Sequence, residues 1–399
     1  MDKSQGSRFT FRLKDLLVFV FVVGVMFSLC FPAIESSRAA SRRQSCSANF
    51  KQIGLAVQQY HSAFSCLPMH GTGPTSEFSD DPVVAMQPGM GYSRHQLSYL
   101  VSILPFCEGQ RLWEEISNAH LDKNGNQWPA FGPAPYTANY QPWNTNIAQY
   151  RCPSDFAPQA STLGRTNYAA CVGDSMWRTD NSSWSYFKGS GWRYNGSNRL
   201  RAQQVNSSVR GAFVPRRQMR FKDILDGVSN TILAGEIATS LGDRDVRTRG
   251  SLMNGKSNVL GNPKYCVDDG QVDKAMKFWT SDADLTEDLA SRGSRWADFR
   301  PIFTQVNTIL PPNSEVCMRG THGQDGVMPL SSRHVGGAHI LLCDGAVIFM
   351  TDFVESGDAR AGVVYYRNNG DQNSVGRKSP YGLWGALGTR SAKENIAEG

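Results

Sequence analysis

FRLKDLLVFVFVVGVMFSLCFPAIESSRAASRRQSCSANFKQIGLAVQQYHSAF, Phe11–Phe64, is the stretch whose reading decides the fold. Its front part, Leu16 to Ile34, carries no charge. As a helix rising about 1.5 Å per residue this run covers about 28 Å, close to the hydrocarbon thickness of a bilayer. A cleaved secretory signal has an apolar core of about 7 to 15 residues, so a retained anchor is expected over cleavage at the small residues before Ser41. Behind it, Cys46, Phe50, Ile53, Val57, Tyr60 and Phe64 follow one another at helical steps and share one stripe, while Arg43, Lys51, Gln52, Gln58 and Gln59 lie elsewhere. The pattern predicts one helix from Leu13 to Phe64, kinked at Pro32 where a backbone donor is missing. Its front half would sit in lipid and its rear half would lay an apolar stripe on the remainder of the chain.

Charge does not orient this segment. Lys3, Arg8, Arg12 and Lys14 precede the run, and Arg38, Arg42, Arg43 and Lys51 follow it. Asp15 stands at the start of the run, where a helix dipole welcomes an anion but lipid makes a carboxylate costly.

Beyond Leu67 the sequence breaks repeatedly at Gly, Pro, Asn and Ser, which favours short strands and long loops. A loop-rich β head is expected. The formal charge of +6 comes from basic residues scattered through the chain, with no basic stretch interleaved with aromatics, so nucleic acid is not expected as a partner. Nine cysteines include no CxxC pair, which removes zinc-ribbon spacing and favours disulfides in an oxidising compartment. Cys152 with Cys171 and Cys266 with Cys317 are the preferred bridges because each pair flanks a loop; buried free thiols are the alternative.

SSRHVGGAHILLCDGAVIFMTD, Ser331–Asp352, predicts a hairpin. His339 to Cys343 and Ala346 to Thr351 are apolar runs joined by Asp344-Gly345, a dipeptide suited to a type I′ turn. Strands apolar on both faces are expected to be buried, between the helix stripe and later chain. His334, His339 and Asp344 invite a metal or catalytic interpretation. The preferred alternative is that Gly336 and Gly337 lead tightly into the hairpin, His334 donates to a backbone carbonyl, and Asp344 and Gly345 make the turn. Two histidines and a turn carboxylate lack a third inward ligand, and no HExxH helix accompanies them. DKNGNQ, Asp122–Gln127, lacks the glycine and the glutamate of a calcium loop and reads as a solvated turn. G-x-S-x-G and GxGxxG are missing. Trp177, Trp184 and Trp192, with Tyr186 and Tyr194, make either a sugar-binding surface or core packing, the second being the default. No catalytic residue, cofactor or metal is expected, and the chain is not expected to be an enzyme.

FRLKD followed by LLVFVFVVGVMFSL resembles the opening of type IV prepilins and pseudopilins: a phenylalanine, Phe11, an acidic residue four positions later, Asp15, a long apolar run, and a proline near its end, Pro32. The continuation SSRAASRRQSCSANFKQIGLAVQQYHSAFSCLP is similar to a narrower prepilin-like family with an uncharacterised head, abundant in planctomycete bacteria. YRCPSD, GRTNYAACVGD, FKDILDGVSNTILAGE, RGSRWADFRPIFTQVNTILPPNSEVC and SPYGLWGALGTR follow in that family's order, and His334, nine residues, then Asp344-Gly345 match its carboxy-terminal signature. The resemblance implies that Asp15 offsets the amino-terminal charge of a neighbouring subunit during assembly. It also implies a prepilin peptidase as a partner, although Thr10 stands where the family's cleavage glycine belongs.

These expectations combine into an α+β, pilin-like fold with a long amino-terminal helix on an antiparallel sheet and a large loop-rich head. Residues 1–10 would be a leader-like segment, 11–64 the helix with 16–34 spanning the membrane, and 65–399 an extracytoplasmic head containing the 339–351 hairpin. The expected role is a structural, single-pass inner-membrane protein with its head in the periplasm or at the cell surface, able to self-assemble or join other pilin-like subunits in a filament of the pilus or type II secretion kind. The alternative is a non-polymerising cell-surface module that binds a solute or glycan.

Overall fold

A computed structural model describes the backbone of residues 13–74, 92–156, 163–181, 184–187, 191–194, 199–366 and 375–392. The side chains of 26–33, 184–187, 191–194, 199, 201 and 256 lie outside that description, as do Thr10 and Phe11 altogether. Helix α1 runs unbroken over Leu13–Phe64. Cys46, Phe50, Ile53, Ala56 and Val57 are fully buried along its rear half, the stripe that the spacing predicts. The stripe ends early, for Phe64 is 58% exposed. There the chain leaves the helix through Ser65, whose backbone is left-handed and whose N–H donates to the His61 carbonyl at 2.7 Å. Among the described residues no helix is long and apolar enough to cross a membrane; Pro32 and the rest of 26–33 are outside the side chains so described.

The rear of α1 lies on a five-stranded sheet. Its strands are β1 (Tyr168–Cys171), β2 (Ile232–Glu236), β3 (Gln305–Val306), β4 (Gly337–Leu342) and β5 (Val347–Thr351). They are ordered β5-β4-β2-β1-β3, antiparallel except for the parallel β1–β3 pair. The fold is therefore α+β with an antiparallel sheet and an amino-terminal helix. Alternation along the strands sends side chains to two separate cores, with a shift of register between β4 and β2 at Leu233 that puts Ile232 and Ala234 on opposite faces. Tyr168, Ala170, Ala234 and Leu341 join Phe50, Ile53 and Val57 of α1. Ala169, Cys171, Ile232, Ile340 and Leu342 face the other way, under Trp384 of the carboxy-terminal helix Gly382–Gly388. Both faces are covered, which is why β1, β2 and β4 are buried at every position.

The hairpin departs from expectation in two ways. β5 pairs only with β4, so it is an edge strand, and its side chains are half-buried or exposed, with Ile348 44% exposed. The connection is not a type I′ turn, because only Gly345 has positive φ. Gly345 N–H donates to the Leu342 carbonyl at 3.0 Å and Leu342 N–H to the Ala346 carbonyl at 2.8 Å, the pattern of a three-residue loop closed by a left-handed glycine.

Elsewhere the head is held by buried polar groups that satisfy irregular backbone. His70 is fully buried: its Nε2 lies 3.0 Å from the Phe299 carbonyl, and Tyr99 N–H donates to its Nδ1 at 3.3 Å. Those partners require a neutral ring protonated at Nε2, and burial pushes its pKa down to about 3. Because the unfolded ring takes up a proton near pH 6.5 and the folded one does not, this residue stabilises the head above that pH. Its contribution falls as the pH drops from about 6.5 toward 3, by up to roughly 1.4 kcal/mol per unit. Imidazole nitrogen NMR is expected to show His70 in the Nε2–H tautomer and not titrating between pH 7 and 5; an ordinary titration near 6.5 would refute it.

Candidate functional site

Among the described residues of α1 the first to be fully buried is Cys46, and it is also where the helix is joined covalently to the head. Cys46 is bonded to Cys152, not Cys152 to Cys171. The reason is the strand alternation: Cys171 in β1 points to the face under Trp384, whereas Cys152 follows the turn that packs beside α1. Burial pushes the Cys171 thiol up to about 12, so it is an inert neutral group. Cys266 and Cys317 form the second bridge, as expected. Around Cys46, the Tyr168 hydroxyl donates to the Cys46 carbonyl at 2.9 Å and Asn49 Nδ2 donates to the Arg151 carbonyl at 2.8 Å. One helical turn before Cys46, Arg43 sits over the Phe349 ring at 3.4 Å.

Against this bridge stands His334, with His339 beside it. His334 Nε2 is 3.5 Å from Cys152 Sγ and 3.3 Å from Glu236 Oε1. It does not donate to a backbone carbonyl as expected, because the bend at Ser332 aims the ring inward. Ser332 Oγ donates to the Gly337 carbonyl at 2.6 Å and accepts the His334 N–H at 3.0 Å. Gly336 has φ +81°, and a Cβ on Gly337 would lie 2.1 Å from the Met350 carbonyl, so the glycine pair does make the tight lead-in that its sequence implies. Arg333 fixes the bend from the other side by donating to Asp245 Oδ2 at 2.9 Å and to the Thr239 carbonyl at 2.8 Å. Asp344 is not part of the cluster; it is exposed, and its Oδ1 accepts the Ala346 N–H at 2.9 Å.

The third inward ligand missing from the sequence is Glu236, which ends β2 and is 1% exposed. Its Oε2 accepts from His339 N–H at 3.0 Å and lies 2.9 Å from His339 Nδ1. Oε1 accepts no hydrogen bond although it is buried. Burial alone would push this carboxyl up, but the contacts with His334 and His339 outweigh it and hold the pKa below the usual value. A carboxylate closing a strand otherwise made of Ile, Leu, Ala and Gly was the available signal for it. Cys46, Cys152, Glu236 and His334 thus gather four candidate ligand atoms within 4.8 Å of one another. A cleft of about 480 Å³, lined in part by Asp245, Arg247, Asn313 and Arg333, reaches His334 from outside.

Two other stretches singled out in the sequence lie away from this cluster. Asp122 accepts backbone N–H groups from Asn124 and Asn126 at 2.8 Å, so DKNGNQ closes on its own carboxylate as an ordinary turn. Trp177 stacks on Tyr365 with ring centroids 5.7 Å apart, while the side chains of Trp184, Tyr186, Trp192 and Tyr194 lie outside the described residues.

Residues 35–357 match the family described as "Protein of unknown function (DUF1559)". The chain belongs to that family. No curated protein and no solved structure matches it. The DUF1559 match begins behind the apolar run and ends just past β5, so it takes in the rear of α1, the sheet and the whole Cys46–Cys152–Glu236–His334 cluster. The front of α1 and the carboxy-terminal helix that carries Trp384 lie outside the matched region.

Proposed function

We propose that the chain is a structural, prepilin-like surface protein whose front helix anchors it in the inner membrane and whose head is displayed outside the cytoplasm. The supporting observation is the exposure of consecutive apolar residues: Leu16, Leu17, Val18, Phe19, Val20 and Phe21 are between 50% and 72% exposed. At about 100° per residue, consecutive positions cover every face of a helix. No single neighbour in the chain can bury all of them, and lipid can. In sequence the uncharged run continues to Ile34. Two disulfides fit a head that matures in an oxidising compartment. The resemblance of Phe11, Asp15, Pro32 and the intervening run to pilins supplies the finer reading: the anchored subunit packs with copies of itself or with other pilin-like subunits, Asp15 offsetting a neighbour's amino-terminal charge.

Deleting residues 1–34 is expected to move the protein from the alkaline-washed membrane pellet to the soluble fraction with both disulfides intact. A full-length chain that is released by alkaline washing would overturn the anchor. Asp15→Ala is expected to abolish surface filaments while leaving membrane association unchanged. Filaments of normal number from that variant would leave anchoring standing and remove the pilin-like assembly. Thr10 makes the mature amino terminus decisive as well: sequencing that starts at Phe11 supports processing and assembly, and a start at Met1 supports a permanent anchor.

A further inference from the structure

We infer that Cys46, Cys152, His334 and Glu236 form a redox-gated zinc site, closed as a disulfide under oxidising conditions and able to take Zn²⁺ once the bridge is reduced. Three features of the cluster carry this. The ligand types are those zinc accepts: two sulfurs, an imidazole nitrogen and a carboxylate oxygen. The two distances that His334 makes to the other ligand atoms are those of a tetrahedral shell, and the sulfurs, bonded to each other here, would have to part to complete it. With Zn–S near 2.3 Å and Zn–N and Zn–O near 2.0 to 2.1 Å, sulfur and nitrogen fall about 3.5 Å apart, and nitrogen and oxygen about 3.4 Å. Here His334 Nε2 is 3.5 Å from Cys152 Sγ and 3.3 Å from Glu236 Oε1. Finally, Glu236 Oε1 is a buried oxygen with no hydrogen-bond donor, aimed at a nitrogen that also faces sulfur. Leaving a buried charged oxygen unsatisfied is costly, and a cation between these atoms would satisfy it.

The surroundings suit a ligand shell. His339 holds the other Glu236 oxygen through both its ring and its backbone N–H, the outer contact that fixes a coordinating carboxylate. In the oxidised protein the bonded sulfurs have no thiolate charge to offer. Reduction breaks the sulfur–sulfur bond: a phosphine takes up oxygen from water as its oxide, and the two electrons and two protons released convert the bridge to two thiols. A cellular thiol would supply the same electrons by becoming a disulfide itself. Zinc then displaces one proton from each thiol, and the two thiolates, His334 Nε2 and Glu236 Oε1 complete four bonds while the sulfurs separate to about 3.8 Å. The cleft at His334 gives the ion a path. Coordination would keep α1 fastened to the head when the covalent link is open.

The test uses the full chain in detergent, reduced with a phosphine, freed of it without oxygen, and equilibrated with zinc chloride or cobalt chloride. One zinc per chain is expected by mass spectrometry of the metal after reduction and none before it, and cobalt should give a thiolate charge-transfer band. Zinc should shield Cys46 and Cys152 from alkylation while leaving Cys266 and Cys317 reactive. Changing Cys266 and Cys317 to serine should leave zinc uptake intact, and His334→Asn or Glu236→Gln should weaken it by about tenfold or more. Reduced protein that takes up no more zinc than oxidised protein overturns the inference. So does alkylation of Cys46 and Cys152 at the same rate with and without the ion, a readout that needs no variant to fold.

Discussion

Phe50→Asp is expected to abolish cooperative folding of the head. Phe50 is fully buried, its ring 4.5 Å from that of Tyr168, at the centre of the contact between α1 and β1. Truncating a buried phenylalanine costs about 3 to 5 kcal/mol through lost transfer energy and the cavity left behind. A carboxylate placed there adds several kcal/mol of desolvation. Together these approach the 5 to 15 kcal/mol by which domains are generally stable. Leu55→Asp is the matched control, since Leu55 lies on the same helix but is 62% exposed. It is expected to melt with the parent within a few degrees. A Phe50→Asp protein that retains a sharp thermal transition near the parent's would show that the helix is a passenger on the head and not part of its core.

The second large effect belongs to the bridge at Cys46. Replacing Cys46 and Cys152 with alanine opens a loop of 106 residues, and closing a loop of that size restricts the unfolded chain by an amount worth about 2 to 5 kcal/mol. The other bridge closes 51 residues, and because loop entropy grows only with the logarithm of length, its removal should cost within about 0.6 kcal/mol of the first. Urea midpoints should therefore fall by similar amounts in the two double variants. Proteolysis should separate them: only the Cys46 and Cys152 pair is expected to expose α1 to cutting between Arg43 and Lys51. Equal protection of that segment in both variants would mean that the noncovalent contacts alone seat the helix.

The helix and its docking stripe were legible because a period of three and four apolar residues has one geometric meaning over so long a run. The hairpin was legible too, from two apolar runs around Asp344-Gly345. What the sequence did not disclose was which strand would be central, since an apolar edge strand and an apolar buried strand read alike and only the pairing of β4 with β2 distinguishes them. The cluster was half visible. His334 and His339 lie in one motif, but Glu236 is brought to them by sheet register and Cys46 by the docked helix, across separations of about a hundred residues or more. The Cys152–Cys171 expectation failed for the same reason: proximity along the chain does not say which face of a sheet a cysteine occupies. Nor does any local pattern mark His70, which becomes structural only where distant carbonyls and N–H groups converge on it.

Cys46 is the first fully buried residue of α1 among the described ones, and Leu16 to Phe21, well ahead of it, are exposed. Tension applied along that helix would pass at Cys46 directly through two sulfur atoms into Cys152, bypassing the greasy seat from Phe50 to Val57. The seat would carry little shear, so the weak noncovalent surface is shielded from load by a covalent shunt at its edge. A head pulled through this helix would then keep its grip until the chain itself, and not its packing, gave way.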